Sequence, residues 1–151
     1  VKNFYILFCF LFLSACSGGA EKSANEAPET ESVRCVWCAM NPAKYPKWAT
    51  YTEENGTRKA LTCSPRCLFF ARESGKIPQS GKFFFTEYYG QEILPAESLF
   101  FVTESDLTGP MGVDFVPVKD SLAAVEFRND HKGNKILRFE AVEKADLELL
   151  K

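Results

Sequence analysis

Apolar and polar positions change their period several times along the chain, and each change marks an element. Phe4 to Leu13 (FYILFCFLFL) is an unbroken apolar run behind Lys2, about half the ~20 residues that span a bilayer. Ser17 to Ser32 is small, polar and acidic, with nothing larger than Ala to bury, and reads as a flexible tether over residues 16–32. Regular patterning starts near Val33. Trp48 to Tyr51 reads as a strand, Glu53-Glu54-Asn55-Gly56 as a hairpin turn and Arg58 to Thr62 as the return strand. Ser64-Pro65 supplies an N-cap and a first helical residue, the helix carries Leu68, Phe69 and Ala71, and Gly75 stops it. The aromatic-rich stretch Lys82 to Tyr89 predicts a strand.

The second half repeats the order. Ser98 to Thr103 and Asp114 to Val118 read as strands, with a turn at Gly109-Pro110-Met111-Gly112 between them. Asp120 caps a helix through Leu122, Val125 and Asn129 that ends near Gly133, and Lys135 to Val142 alternates as a strand. The fold class predicted is α+β: two small ββαβ units, residues 33–92 and 93–145, followed by a tail at 146–151. Each unit alone is marginal for an independent core, so the two are expected to share or abut their sheets.

Composition narrows the function. Lys+Arg 18 against Asp+Glu 20 gives a net charge of −2, without the basic surplus that general nucleic-acid binding needs. One His excludes His-rich metal sites and most His-based catalytic dyads. No nucleophile elbow, H-E-x-x-H or phosphate loop is present, and no enzymatic activity is expected.

The apolar run at residues 1–15 has the form of an export signal rather than a membrane helix. It ends in Leu13-Ser14-Ala15-Cys16, which resembles a bacterial lipobox; the alternative is an ordinary secreted chain with a chance Cys. The resemblance implies lipidation of Cys16 and a membrane-anchored, periplasm-facing or surface protein, with Ser17 favouring the outer membrane. Cys35, Cys38, Cys63 and Cys67 then remain as thiols.

These four form two close pairs, Cys35-Val36-Trp37-Cys38 and Cys63-Ser64-Pro65-Arg66-Cys67, with a hairpin between them, which is a metal-site spacing. Cys67 falls in the first helical turn, where the helix dipole favours a thiolate. Met40 lies two residues after Cys38; in an extended segment the two would share a face, and a thiolate beside a thioether selects Cu(I) over zinc. The alternatives are two disulfides, a structural zinc site on the four cysteines, or a C-x-x-C thiol oxidoreductase, for which the strand leading into a motif-bearing helix is missing. His131 reads as a helix C-terminal residue or a further ligand, and Met111 as a loop residue packing on the sheet or a metal contact. Trp37, Trp48, Tyr88 and Tyr89 read as core or rim.

The pattern C-x-x-C-x-M, the Asn55-Gly56 hairpin and Thr62-Cys63-Ser64-Pro65-Arg66-Cys67-Leu68-Phe69 resemble the treble-clef modules called TRASH or YHS domains. The whole folded part, from Cys35 to Val142, more closely resembles the NosL family of copper-chaperone lipoproteins that serve nitrous-oxide reductase maturation. Further matches are Phe101-Val102, Ser105-Asp106, Gly109-Pro110-Met111-Gly112, Val116-Pro117, Ala123-Ala124 with Phe127, His131, Gly133 and Ile136-Leu137-Arg138-Phe139-Glu140. The resemblance implies two ββαβ units and Cu(I) bound through Cys38 and Met40 with Cys35 nearby. It also implies delivery to an exported cuproenzyme, nitrous-oxide reductase first among them. Two departures stand out: Ala39 where the family usually has Gly, and the added Cys63/Cys67 pair.

Overall fold

A computed structural model of the chain describes residues 33–150. The export signal, Cys16 and the tether expected before them lie outside the described residues.

Asn55 and Gly56 both take positive φ (51° and 75°), the backbone twist that closes a two-residue hairpin between β1 (Thr50–Glu54) and β2 (Thr57–Thr62). Ser64 is extended, and its side chain accepts from the Cys67 amide to cap α1 (Pro65–Glu73); Gly75, at φ 73°, ends it. The chain then returns as β3 (Phe83–Thr86), antiparallel to β1 with Tyr51 opposite Phe84. Phe83, Phe84 and Phe85 are all buried. A short β4 (Ile93–Pro95) completes a sheet of order β2-β1-β3-β4.

The second half builds the same figure. β5 (Phe100–Val102) leads through a small hairpin, β6 (Thr108–Gly109) and β7 (Gly112–Val113), into β8 (Val116–Val118). Asp120 caps α2 (Ser121–Asp130) by accepting from the Ala123 amide, and β9 (Ile136–Arg138) follows. The sheet order is β8-β5-β9. In both halves the first strand is central and antiparallel to its two neighbours, and a helix joins those neighbours. The mixed α+β architecture and the repeat read from the sequence are therefore present.

Four local expectations need correction. The strand expected over Lys82–Tyr89 stops at Thr86, because the Glu87 amide donates to the Glu92 carbonyl and the chain turns there. The strand expected over Lys135–Val142 stops at Arg138; Phe139–Ala141 coils as a 3-10 turn that drops Phe139 into the core. Ile93–Pro95, read as the opening of the second unit, pairs with β3. Across the expected boundary between the second unit and the tail runs α3 (Lys144–Glu148), which buries Leu147, and the turn after it buries Leu150 in the main core.

The largest apolar cluster draws on both halves: Leu68, Phe69 and Phe85 from one, Phe101, Phe115 and Phe139 from the other. Phe69 is its hub. Its ring lies 4.6 Å from that of Phe115, 5.4 Å from Phe101, 5.5 Å from Phe139 and 5.9 Å from Phe85. Trp48 and Tyr88 pack against a second cluster beneath α2, whereas Tyr89 is exposed. Among the described residues no helix is long and apolar enough to cross a membrane.

Candidate metal centre

The first cysteine pair sits on a closed knuckle. The Cys35 amide donates to the Met40 carbonyl (2.8 Å), and the Ala39 amide donates to the Cys35 carbonyl (2.9 Å). This closure forces Ala39 to φ 63°, the left-handed region that favours glycine. The Val36 amide donates to the Leu61 carbonyl (3.2 Å) and pins the knuckle to β2. The second pair comes from the end of that strand and the start of α1. Cys63 follows β2 directly, and Cys67 is held in the first helical turn by the Ser64 cap.

These two supports bring all four sulfurs within 4.8 Å of one another. Cys38 Sγ is 3.3 Å from Cys63 Sγ and 3.9 Å from Cys67 Sγ, and Cys63 and Cys67 are 3.7 Å apart. No pair is at the ~2.05 Å of a disulfide, and all four are thiols. A tetrahedral ion at about 2.3 Å from each sulfur needs edges of about 3.8 Å, which these distances bracket. Cys63 and Cys67 are fully buried and Cys35 nearly so, while Cys38 is half-buried. The cluster therefore meets solvent through Cys38.

The cradle accepts negative charge unevenly. Contacts from the Cys63 and Cys67 side chains stabilise an ionised Cys35 and hold its thiol far below the usual range. The same contacts with Cys35, together with burial, push Cys63 and Cys67 upward, because a second thiolate would face the first. A cation supplies the missing charge and lets further thiols ionise.

The other expected site residues are placed differently. Met40 packs against the cysteine cluster with Trp37 and Tyr45, and the Tyr45 hydroxyl lies 3.9 Å from its sulfur. Met111 is at the exposed tip between β6 and β7; its carbonyl accepts from Arg66 Nη1 (2.7 Å). His131 caps the end of α2. Its Nδ1 is 3.1 Å from Asp106 Oδ1, its ring stacks on Phe127 at 4.4 Å and meets Tyr88 edge-on at 6.1 Å, so its partners are these and not the four sulfurs.

Asp114, read as an ordinary strand residue, is fully buried beside the N-terminus of α1. Its Oδ1 accepts from the Arg66 amide (2.6 Å) and the Phe115 amide (2.9 Å), while Oδ2 has no partner. Burial pushes its carboxyl up to about 7, against the opposing pull of those donors. It ties the second half to the helical turn that carries Cys67. The available signal was an acid embedded in an apolar run, Val113-Asp114-Phe115-Val116.

Comparison with known proteins decides the family. The family model described as NosL matches residues 27–147. The chain belongs to the NosL family. Among solved structures it is similar to the crystal structure of the copper chaperone NosL from Shewanella denitrificans, at 22% identity and a TM-score of 0.65. That alignment covers 80% of this chain and 98% of the other, so the NosL fold is shared over nearly its whole length. A search of curated proteins finds no match. The resemblance drawn from the C-x-x-C-x-M element and the second-half motifs is thus borne out at the level of family and fold.

Proposed function

We propose that this NosL-family chain is a lipid-tethered Cu(I) chaperone, not an enzyme, which hands copper to an exported cuproenzyme. The observation that carries the reading is four free thiols converging within 4.8 Å, three of them buried and one open to solvent. Sulfur donors match a soft monovalent cargo. Cys35, Cys63 and Cys67 form the floor of the cradle, and Cys38 is its gate. Met40, on the same knuckle as Cys38, offers the thioether donor that the family resemblance assigns to copper. Exchange then proceeds by attack of an incoming donor on the Cys38 side, with one sulfur contact made as another is given up. The client most consistent with the family is nitrous-oxide reductase. The Leu13-Ser14-Ala15-Cys16 motif supports a lipid anchor at Cys16, and Ser17 supports the outer membrane.

Anaerobic titration of the reduced protein with Cu(I) tests this. One Cu(I) per chain is expected, with binding lost or sharply weakened in Cys38→Ser and in Met40→Ala. Wild-type affinity in both variants would overturn the site. The near-tetrahedral sulfur spacing favours one second reading, a structural zinc site on the four cysteines. Zinc retained stoichiometrically through purification, with unfolding on chelation, would establish that reading instead.

A further inference from the structure

The rim of the sulfur cradle carries a charge opposite to that of the chain as a whole. From Val33 to Thr52 there is no Asp or Glu, while Arg34, Lys44 and Lys47 are all exposed, on a chain of net charge −2. Lys76 adds a fourth exposed cation; its Nζ sits 4.7 Å above the ring of Trp37, which stands between the two knuckle cysteines in sequence. The Trp37 ring stacks on Phe70 at 5.4 Å, and the Arg66 guanidinium lies 5.6 Å from the Phe70 ring. Lys76, Trp37, Phe70 and Arg66 thus form a continuous cationic and aromatic strip along one side of the knuckle. Lys44 and Lys47 flank Tyr45, which packs on the cluster from another side. Among the described residues, ion pairs hold Lys59, Arg72, Lys82 and Lys135, and none involves Arg34, Lys44, Lys47 or Lys76. What sets the rim apart is the clustering of Arg34, Lys44 and Lys47 in a stretch without a carboxylate, Val33 to Thr52, beside the knuckle.

We propose that this rim is the docking surface for the copper acceptor, and that the acceptor presents its own soft-donor site inside a ring of carboxylates. The inference rests on the cargo reading above and adds the chemistry of the partner. Opposite charges around two donor sets steer the sites together before any sulfur exchanges, and complementary rims raise encounter rates by about 10- to 1000-fold at low salt. An anionic bilayer would match the charge but would cover the Cys38 gate through which copper must leave, so the proposal commits to a protein acceptor.

The probes are two synthetic peptides with the same Met-x-x-Met donors, one flanked by glutamates and one by lysines, and anionic phosphatidylglycerol vesicles. Binding to the metal-free, reduced chain is followed by Trp fluorescence, and copper transfer from the loaded chain by stopped flow. Each is measured at about 20 mM and about 0.5 M salt. The glutamate peptide is expected to bind and to take copper at least ~10-fold better than the lysine peptide at low salt, with the preference gone at high salt. Lys44→Glu/Lys47→Glu/Lys76→Glu is expected to reverse the preference while its copper stoichiometry stays that of wild type. Lys44→Glu/Lys47→Glu alone, a milder change, should at least abolish it. Equal binding of the two peptides at low salt overturns the proposal, as does an unchanged preference in the folded variants. So does binding to the vesicles without discrimination between the peptides. A preserved peptide preference on a chain that takes no copper supports the docking surface and overturns the cargo reading.

Discussion

Ala39 carries the sharpest backbone demand of the metal knuckle, since a residue with a Cβ is held at φ 63° between Cys38 and Met40. Ala39→Gly is expected to raise stability by about 0.5–1 kcal/mol in urea unfolding, the relieved strain exceeding the added freedom of the unfolded chain. Asp114 poses a different problem. Its folded-state value of about 7 lies above the 3.8 of a free Asp, so the unfolded chain loses this proton first as pH rises. The contribution of Asp114 to stability is therefore complete below about pH 4 and is lost progressively up to about pH 7. Relative to Asp114→Asn, wild type should weaken across that interval by up to ~4 kcal/mol, as read from urea midpoints of both proteins at stepped pH. The two residues also mark what sequence can convey about the site. The paired cysteines are legible because a short spacing and a soft-donor composition are local facts. Asp114 was not, because its burial is decided by the Arg66 amide, 48 residues away in the chain.

At the level of elements, local chemistry spoke clearly where it acts alone. Asn55-Gly56, the Ser64 and Asp120 caps and the Gly75 stop each determine their own backbone, and all stand where the pattern predicts them. Extent was harder to read. The run Lys135 to Val142 alternates as a strand, yet pairing with β5 ends at Arg138 and the Phe core draws Phe139 out of the sheet. A five-residue helix such as α3 has no stability of its own; the docking of Leu147, the Glu143–Asp146 capping box and the Lys135–Asp146 pair hold it in place. Gly133 shows how a stop signal can have a second cause. It follows α2 without positive φ, but a Cβ there would lie 2.5 Å from Val102 Cγ1 and 3.2 Å from the Arg128 backbone. Gly133→Ala is accordingly expected to cost ~1–3 kcal/mol, measurable as a lowered melting temperature, by forcing α2 away from β5.

For the molecule as a whole, neither half owns its core. Phe69 stands two residues after Cys67 and touches aromatic rings from both halves, so the floor of the cradle is continuous with the shared interior. Leu147→Ala, at the far end of the sequence, is expected to cost ~2–4 kcal/mol in global unfolding and to destabilise both halves in a single transition. Separate melting of the two halves would show that they are independent. The four thiols themselves have unequal access to solvent, with Cys38 alone half-buried and the others enclosed. Of these four, a bulky alkylating reagent would then label one in an unloaded chain and none in a loaded chain. A mass spectrum of the labelled protein would count the molecules waiting for cargo.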